Sequence, residues 1–267
     1  MATSDIGHAL EAIRFFANSA NRVRVFDALT DGPKRSRPLI EQTDASRSTV
    51  ARILDEGESR GWIDSTGSLY ELTYMGEVMI DEFRAHLRTV ESAQQLGEAI
   101  NYLPEPMRGL DVRHICEAKI TMPTKDSPQA YVNRALQLYR EGETYRGLTQ
   151  VAPEIVVKTL ADLADRDRLH VEGVIEAEFI EGILDDPERA APWHSFADQV
   201  WVYDGHIPLN MHIIDDTVVV WLVSADGDTW DVYGLMECDN SAVMTWAESL
   251  YQEYRTAAEP LDPASLA

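Results

Sequence analysis

Residues 38–73, PLIEQTDASRSTVARILDEGESRGWIDSTGSLYELT, decide how the rest of the chain is read. Pro38-Leu39-Ile40-Glu41-Gln42-Thr43 carries a short helix signal, Asp44-Ala45 turns the chain, and a second helix restarts at Ser46. Ser46 is a good N-cap, because its hydroxyl can accept from the free amides of the first turn. Val50, Ile53 and Leu54 then repeat at i, i+3 and i+4, the spacing of a buried stripe. That leaves Arg47, Ser48, Thr49 and Arg52 on the outer face of the first two turns. These are the types a recognition helix offers a major groove: Arg to guanine O6 and N7, Ser and Thr to bases or phosphates. Glu56 and Glu58 follow, so only those first two turns are expected to approach phosphates closely.

Gly61-Trp62-Ile63-Asp64 and Leu69-Tyr70-Glu71-Leu72, joined by Ser65-Thr66-Gly67-Ser68, read as two strands of a hairpin. A hairpin directly after a recognition helix is a wing, although this turn carries no Lys or Arg to insert into a minor groove. Residues 5–31 read as one or two support helices with Ile13, Phe16, Val23, Phe26 and Leu29 as apolar positions and Asp31-Gly32-Pro33 as the stop. Pro38 falls in the first turn of the next helix, where its missing amide costs nothing, with Ser36 or Arg37 as the entry. The competing reading is a small packing module with a solvated Ser/Thr/Arg face.

The 267 residues suggest two domains. Net charge is −23, and the cations are nearly all Arg, nineteen against four Lys. Forty-six carboxylates with so few lysines resemble the proteins of extremely salt-loving archaea, where salt screens the self-repulsion of a chain so acidic. The charge is uneven: residues 1–80 sum to −3 and residues 81–267 to −20. Lys34-Arg35-Ser36-Arg37, with Arg22 and Arg24 ahead of it, therefore looks like a phosphate footprint; the alternative is that these cations balance local acids. Cys116 and Cys238 lie far apart with no CxxC or Cys-His spacing, so neither a disulfide framework nor a zinc site is indicated. No run reads as a signal peptide or approaches a membrane span, and the expectation is a soluble, cytoplasmic protein.

From Tyr74 to about Ile100 apolar residues recur by threes and fours (Met75, Met79, Phe83, Leu87, Val90, Leu96), until Leu103-Pro104-Glu105-Pro106 ends the helix. Such a helix can be a homodimer seam or pack on its own chain. Beyond it, strands are expected at 119–123, 144–151, 169–175, 200–203, 211–214, 218–223 and 230–236, with turns at Asp215-Asp216 and Ala225–Asp228. Helices are expected at 127–141, 153–165, 176–184 and 241–255. The fold class is thus α+β or mixed α/β: a winged helix-turn-helix over 1–73, a connecting helix over 74–106, a mixed α/β domain over 107–258, and a tail over 259–267.

Glu143-Thr144-Tyr145-Arg146-Gly147-Leu148, the strand Leu169–Val174, Gln199–Tyr203, the run Ile207–Asp216 and the Trp246-Ala247-Glu248 helix together resemble the middle domain of the archaeal methanogenesis regulatory protein family. Those proteins join an N-terminal winged helix to this domain. The resemblance implies a transcriptional regulator whose second domain senses an effector, with a distant likeness to phospholipase D-type α/β domains.

A phospholipase D-type site needs His-x-Lys, but His114, His170, His206 and His212 are followed two positions on by Cys116, Glu172, Pro208 and Ile214. With no GxSxG, Gly-rich phosphate loop or HExxH, neither catalysis nor a cofactor is expected. A ligand site has more to draw on. Asn210 and His212 alternate with Met211 and Ile213 and so share a strand face, His206 lies just upstream, and Arg146 and Tyr203 could join as anion or hydrogen-bond partners. A metal held by His206, His212 and Cys238 has only residue type behind it. The reading is therefore a dimeric promoter-binding regulator. Arg47, Ser48, Thr49 and Arg52 touch base edges, and Arg35, Arg37 and Ser46 sit on the backbone. A protein-binding winged module and a phosphodiesterase are the competing classes.

Overall fold

The computed structural model describes residues 3–184, 186–224 and 231–266, and the chain divides into two compact units, 1–91 and 92–267. In the first unit, α1 (Thr3–Ala17) and α2 (Ala20–Thr30) are followed by a short strand β1 (Lys34–Arg35), then α3 (Ser36–Thr43) and α4 (Arg47–Ser59). The hairpin β2 (Ile63–Thr66) and β3 (Leu69–Leu72) leads into α5 (Tyr74–Leu96). The helix pair forms as its sequence demands. Asp44 takes the left-handed conformation (φ 54°) that ends α3, and the Ser46 hydroxyl accepts from the Thr49 amide at 3.1 Å to start α4.

The hairpin turn is tighter than expected. Ser65 and Thr66 join the ladder, leaving Gly67, at φ +66°, and Ser68 as the two-residue tip. Lys34 and Arg35 add a third strand, pairing with Tyr70 and Leu69 in the order β1-β3-β2. A two-residue strand has too little periodicity to be read in advance. Because it runs into α3, that helix begins at Ser36 and Pro38 falls third within it.

Aromatic rings hold this unit together. Phe16 stacks on Trp62 with centroids 5.6 Å apart, and Phe15 meets the same indole edge-on at 5.2 Å. Val50, Ile53 and Leu54 of α4 are buried beside them, as their spacing requires. Ile80 and Phe83 of α5 belong to the same core, so the first half of the segment read as a connecting helix completes the winged unit. Ile13, expected inward, is 46 % exposed and lines up with exposed Ile6 and Leu10 on α1.

The second unit begins at Ser92 and includes a 3₁₀ stretch, Gly97–Tyr102, directly after α5. Its elements are α6 (Val112–Ile115), β4 (Lys119–Thr121), α7 (Ala130–Glu141), β5 (Thr144–Thr149), α8 (Glu154–Asp165), β6 (His170–Glu176), α9 (Ala177–Leu184), α10 (Pro187–Ala190), β7 (Val200–Tyr203), β8 (Met211–Ile214), β9 (Thr217–Ser224), β10 (Asp231–Cys238), α11 (Ser241–Ala257) and β11 (Glu259–Pro260). The expected strands and helices are present within a few residues of their ends. The turn read at Ala225–Asp228 lies outside the described residues.

The strands form one eight-stranded sheet, β11-β7-β6-β5-β8-β9-β10-β4, in which β5, β6 and β7 are parallel and every other pairing is antiparallel. One face packs on α7 and α8 around Leu136, Leu160 and Val171; the other packs on α11 and the 97–107 segment around Val174, Met211 and Tyr251. The closing residues are no tail: Glu259 and Pro260 pair with Val202 and Trp201, and Leu261 and Leu266 are buried. Two paired residues with apolar neighbours are too short to register as a strand. Among the described residues, no helix is long and apolar enough to cross a membrane.

Candidate functional site

The outer face of α4 presents Ser46, Arg47, Ser48 and Arg52 to solvent, with Thr49 half-buried behind them. The Ser46 hydroxyl lies 3.0 Å from that of Ser48 and 2.8 Å from that of Thr49, so three hydroxyls form one polar cluster on the first turn. Arg47 and Arg35 carry no hydrogen bond or ion pair among the described residues. Arg52 stands 4.0 Å from Glu56 and is 70 % exposed, a pairing weak enough to yield to a stronger anion. Arg37 is engaged with Glu41 at 2.9 Å and is likewise exposed.

Arg22 does not belong to the footprint expected of it. It donates to the Phe15 carbonyl at 2.9 Å and to Glu56 at 2.5 Å, and it lies over the Phe15 ring. It ties α2 to α4 and the aromatic core. Glu56, read in sequence only as a repulsive group near DNA, is in fact the counterion of Arg22 and a neighbour of Arg52, so much of its charge is answered within the unit. Lys34 pairs with Asp31 at 3.6 Å, and Arg35 lies across from Leu69 beside the wing.

In the second unit the five candidate ligand residues are not gathered into one site. Asn210 and His212 do share a face, as strand alternation requires, and both are buried. Asn210 Oδ1 accepts from the Gln150 amide at 2.7 Å and the Val151 amide at 3.2 Å, holding the chain that leaves β5. His212 Nδ1 and the Tyr139 hydroxyl are hydrogen-bonded at 2.9 Å. Burial pushes the imidazole down to about 3, so it is uncharged at neutral pH, and burial raises the Tyr139 and Tyr145 phenols as well.

Arg146 and Tyr203 lie on the opposite face, under α11. Arg146 pairs with Glu248 at 3.0 Å, and Tyr203 meets Tyr254 edge-on at 4.9 Å. The registers explain the split: Arg146 sits opposite Ile213 rather than His212, and Tyr203 opposite Glu176. His206 lies beyond the carboxyl end of β7, 69 % exposed, with Nδ1 2.8 Å from Glu176 Oε1. His206, His212 and Cys238 are not brought together, and among the described residues no group of three or more His, Cys, Asp or Glu could hold a metal ion. Cys238 Sγ donates to the His114 carbonyl at 3.6 Å and Cys116 Sγ to that of Arg113 at 3.1 Å, so the two thiols bond neighbouring carbonyls of one short helix. Tyr139, Tyr145 and Trp221, whose rings lie 5.7, 5.0 and 6.3 Å from that of His212, were not singled out as site residues from the sequence.

Comparison with known proteins matches the two units separately. Residues 10–95 match the family described as HVO_A0261 N-terminal domain, and residues 128–257 match methanogenesis regulatory protein FilR1, middle domain. No curated protein matches the sequence. Among solved structures, TrmBL2, titled an archaeal chromatin protein with a novel mode of DNA binding, aligns over 94 % of this chain and 99 % of its own at 11 % identity and TM-score 0.40. NucT from Helicobacter pylori aligns over 54 % of this chain and 99 % of its own at 13 % identity and TM-score 0.39. Nuc, a phospholipase D family member from Salmonella typhimurium, aligns over 54 % and 97 % at the same identity and score. With an HVO_A0261-type domain ahead of a FilR1-type middle domain, the chain resembles the regulators of the methanogenesis regulatory protein family.

Proposed function

We propose that the protein is a sequence-specific promoter-binding regulator, with α4 in the major groove and the second unit as an effector sensor. The observation that carries this reading is the exposed, unpaired Arg47 beside Ser48 and Arg52 on the first turns of a capped helix in a winged unit. Arg47 and Arg52 read base edges, Ser48 and Thr49 add hydroxyl contacts, and Arg35, Arg37 and Ser46 hold phosphates. At the salt concentrations the acidic composition suits, counterion release adds little drive, so base contacts and DNA shape carry more of the affinity.

Exposed Ile6, Leu10 and Ile13, spaced at i, i+4 and i+7 on α1, support pairing with a second copy, which would set two α4 helices on neighbouring half-sites. The place of action is cytoplasmic, and the role is regulatory rather than catalytic; the lack of His-x-Lys supports the latter.

Genomic fragments incubated with the protein in molar potassium chloride, recovered and sequenced, should enrich a shared two-fold symmetric motif that an Arg47→Ala/Arg52→Ala protein loses. Each single substitution should cost about 1–3 kcal/mol at one base position and little elsewhere. Equal weakening on all sequences would contradict base reading, and a wild type that enriches no motif would turn the search to a protein partner of the winged unit.

A further inference from the structure

Between α5 and β4 the chain winds through short helical turns, Gly97–Tyr102, Glu105–Met107 and α6, and these turns enclose a pocket of about 420 Å³. That volume is in the range of small-molecule sites. Leu103, Met107, Leu110, Val112 and Ile115 supply apolar walls. Leu103, Met107 and Ile115 are buried members of the core around Met211 and Tyr251. Ile100, on the same lining, is 36 % exposed, so apolar surface stands in water that an apolar ligand body would cover.

Arg108 carries the only charge among the residues that line the pocket. It is exposed, and its Nε donates to the carbonyl of Leu103, another wall residue, at 3.3 Å. That bond holds the guanidinium at the pocket and leaves both terminal nitrogens without a partner among the described residues. Arg113, Arg134, Arg146 and Arg166 of the same unit each meet a carboxylate. Arg108 meets none, although residues 81–267 sum to −20. Of the acids nearest it in the chain, Asp111 is taken by Arg113 at 2.9 Å, and neither Asp111 nor Glu105 lines the pocket.

The Asn101 side chain, exposed on the same lining, has no hydrogen bond among the described residues and adds two N–H donors. The arrangement selects a charge and a shape. A guanidinium fork matches the two oxygens of a carboxylate, whereas a cationic ligand would meet only a like charge. Because Arg108 and Asn101 are exposed, the carboxylate stays at the water's edge while the body enters the apolar part, and no ion has to be buried.

We propose that this pocket is the effector site of the second unit and takes a small amphipathic carboxylate, its apolar body against Met107, Val112 and Ile115 and its carboxylate on Arg108. The proposal rests on reading the second unit as a sensor.

Saturation-transfer NMR titrations of the full chain test it with octanoate, octanamide and octylammonium, which share one apolar body and differ in charge. Octanoate should bind saturably, octanamide about tenfold more weakly, and octylammonium more weakly still. Arg108→Gln, at an exposed position that leaves the core intact, should bring octanoate down to the level of octanamide and leave octanamide unchanged. Leu110→Trp, which places a larger ring in the partly buried wall, should weaken all three probes, with the unfolding temperature checking that the fold survives. No saturable octanoate binding, equal binding of the three probes, or undiminished octanoate binding to Arg108→Gln overturns the site, whatever the fate of Leu110→Trp. DNA enrichment is measured separately. Motif recovery without octanoate binding defeats this inference alone, whereas Arg108-dependent octanoate binding without motif recovery defeats the promoter-binding reading alone.

Discussion

Gly76→Ala should destabilise the winged unit by about 3 kcal/mol or more, at or beyond the top of the range for an overpacked core. A Cβ on Gly76 would stand 2.0 Å from the Trp62 carbonyl oxygen and 2.9 Å from its carbon, both backbone atoms that no rotamer change can move. That carbonyl accepts from the Thr73 amide at 3.0 Å, so the entry to α5 is pinned against it. To make room, α5 must withdraw Ile80 and Phe83 from the aromatic cluster around Trp62, or the hairpin must shift from beneath the helix. Either route disturbs the packing that orients α4, so DNA retention should fall with stability. A Cβ on Gly7, within α1, would have nothing within 4 Å, and Gly7→Ala should be neutral or stabilise by up to about 1 kcal/mol. Urea unfolding of both proteins, followed through the Trp62 signal, separates the cases. A Gly76→Ala protein as stable as Gly7→Ala would show that the Trp62 contact does not hold the unit together.

Acid should destabilise the second unit well before its carboxylates protonate. The folded-state pKa of His212 lies near 3 because the ring is buried, whereas an unfolded histidine titrates near 6.5. Between those values the unfolded chain binds a proton that the folded chain refuses. Stability therefore rises with pH across that window and falls by about 1.4 kcal/mol per pH unit as acid is added below pH 6.5. The loss levels off only where the folded ring itself takes the proton, near pH 3. His212→Gln keeps a partner for the Tyr139 hydroxyl and removes the titration. Unfolding free energies at pH 7, 6 and 5 should thus diverge between the two proteins by about one proton's slope. Parallel pH profiles would mean that the ring is hydrated or ionised in the folded state.

Local spacing was enough for the parts of the site that lie within one element. Ser46 as a cap, Val50, Ile53 and Leu54 as the inner stripe, and Arg47, Ser48 and Arg52 as the outer face follow from a 3.6-residue period that no distant contact alters. The shared face of Asn210 and His212 follows equally from a period of two. Arg146 and Tyr203 could not be assigned that way. A strand's own alternation says which residues share its face, but not which face of a neighbouring strand adjoins them; that is settled by register, and the registers put both residues under α11.

Charge likewise read differently once partners were known. Arg22 and Glu56 are 34 residues apart, and only the packing of α2 on α4 shows that they neutralise each other. The sequence by itself determined the type of the longer elements and the outward chemistry of α4, because periodicity and capping are local. Tertiary structure decided that β1 and β11 are strands, that eight strands share one sheet, and that Trp221 and Gly173 border one crevice. Those outcomes depend on which distant backbones pair and on which side chains find partners, and residue spacing carries neither.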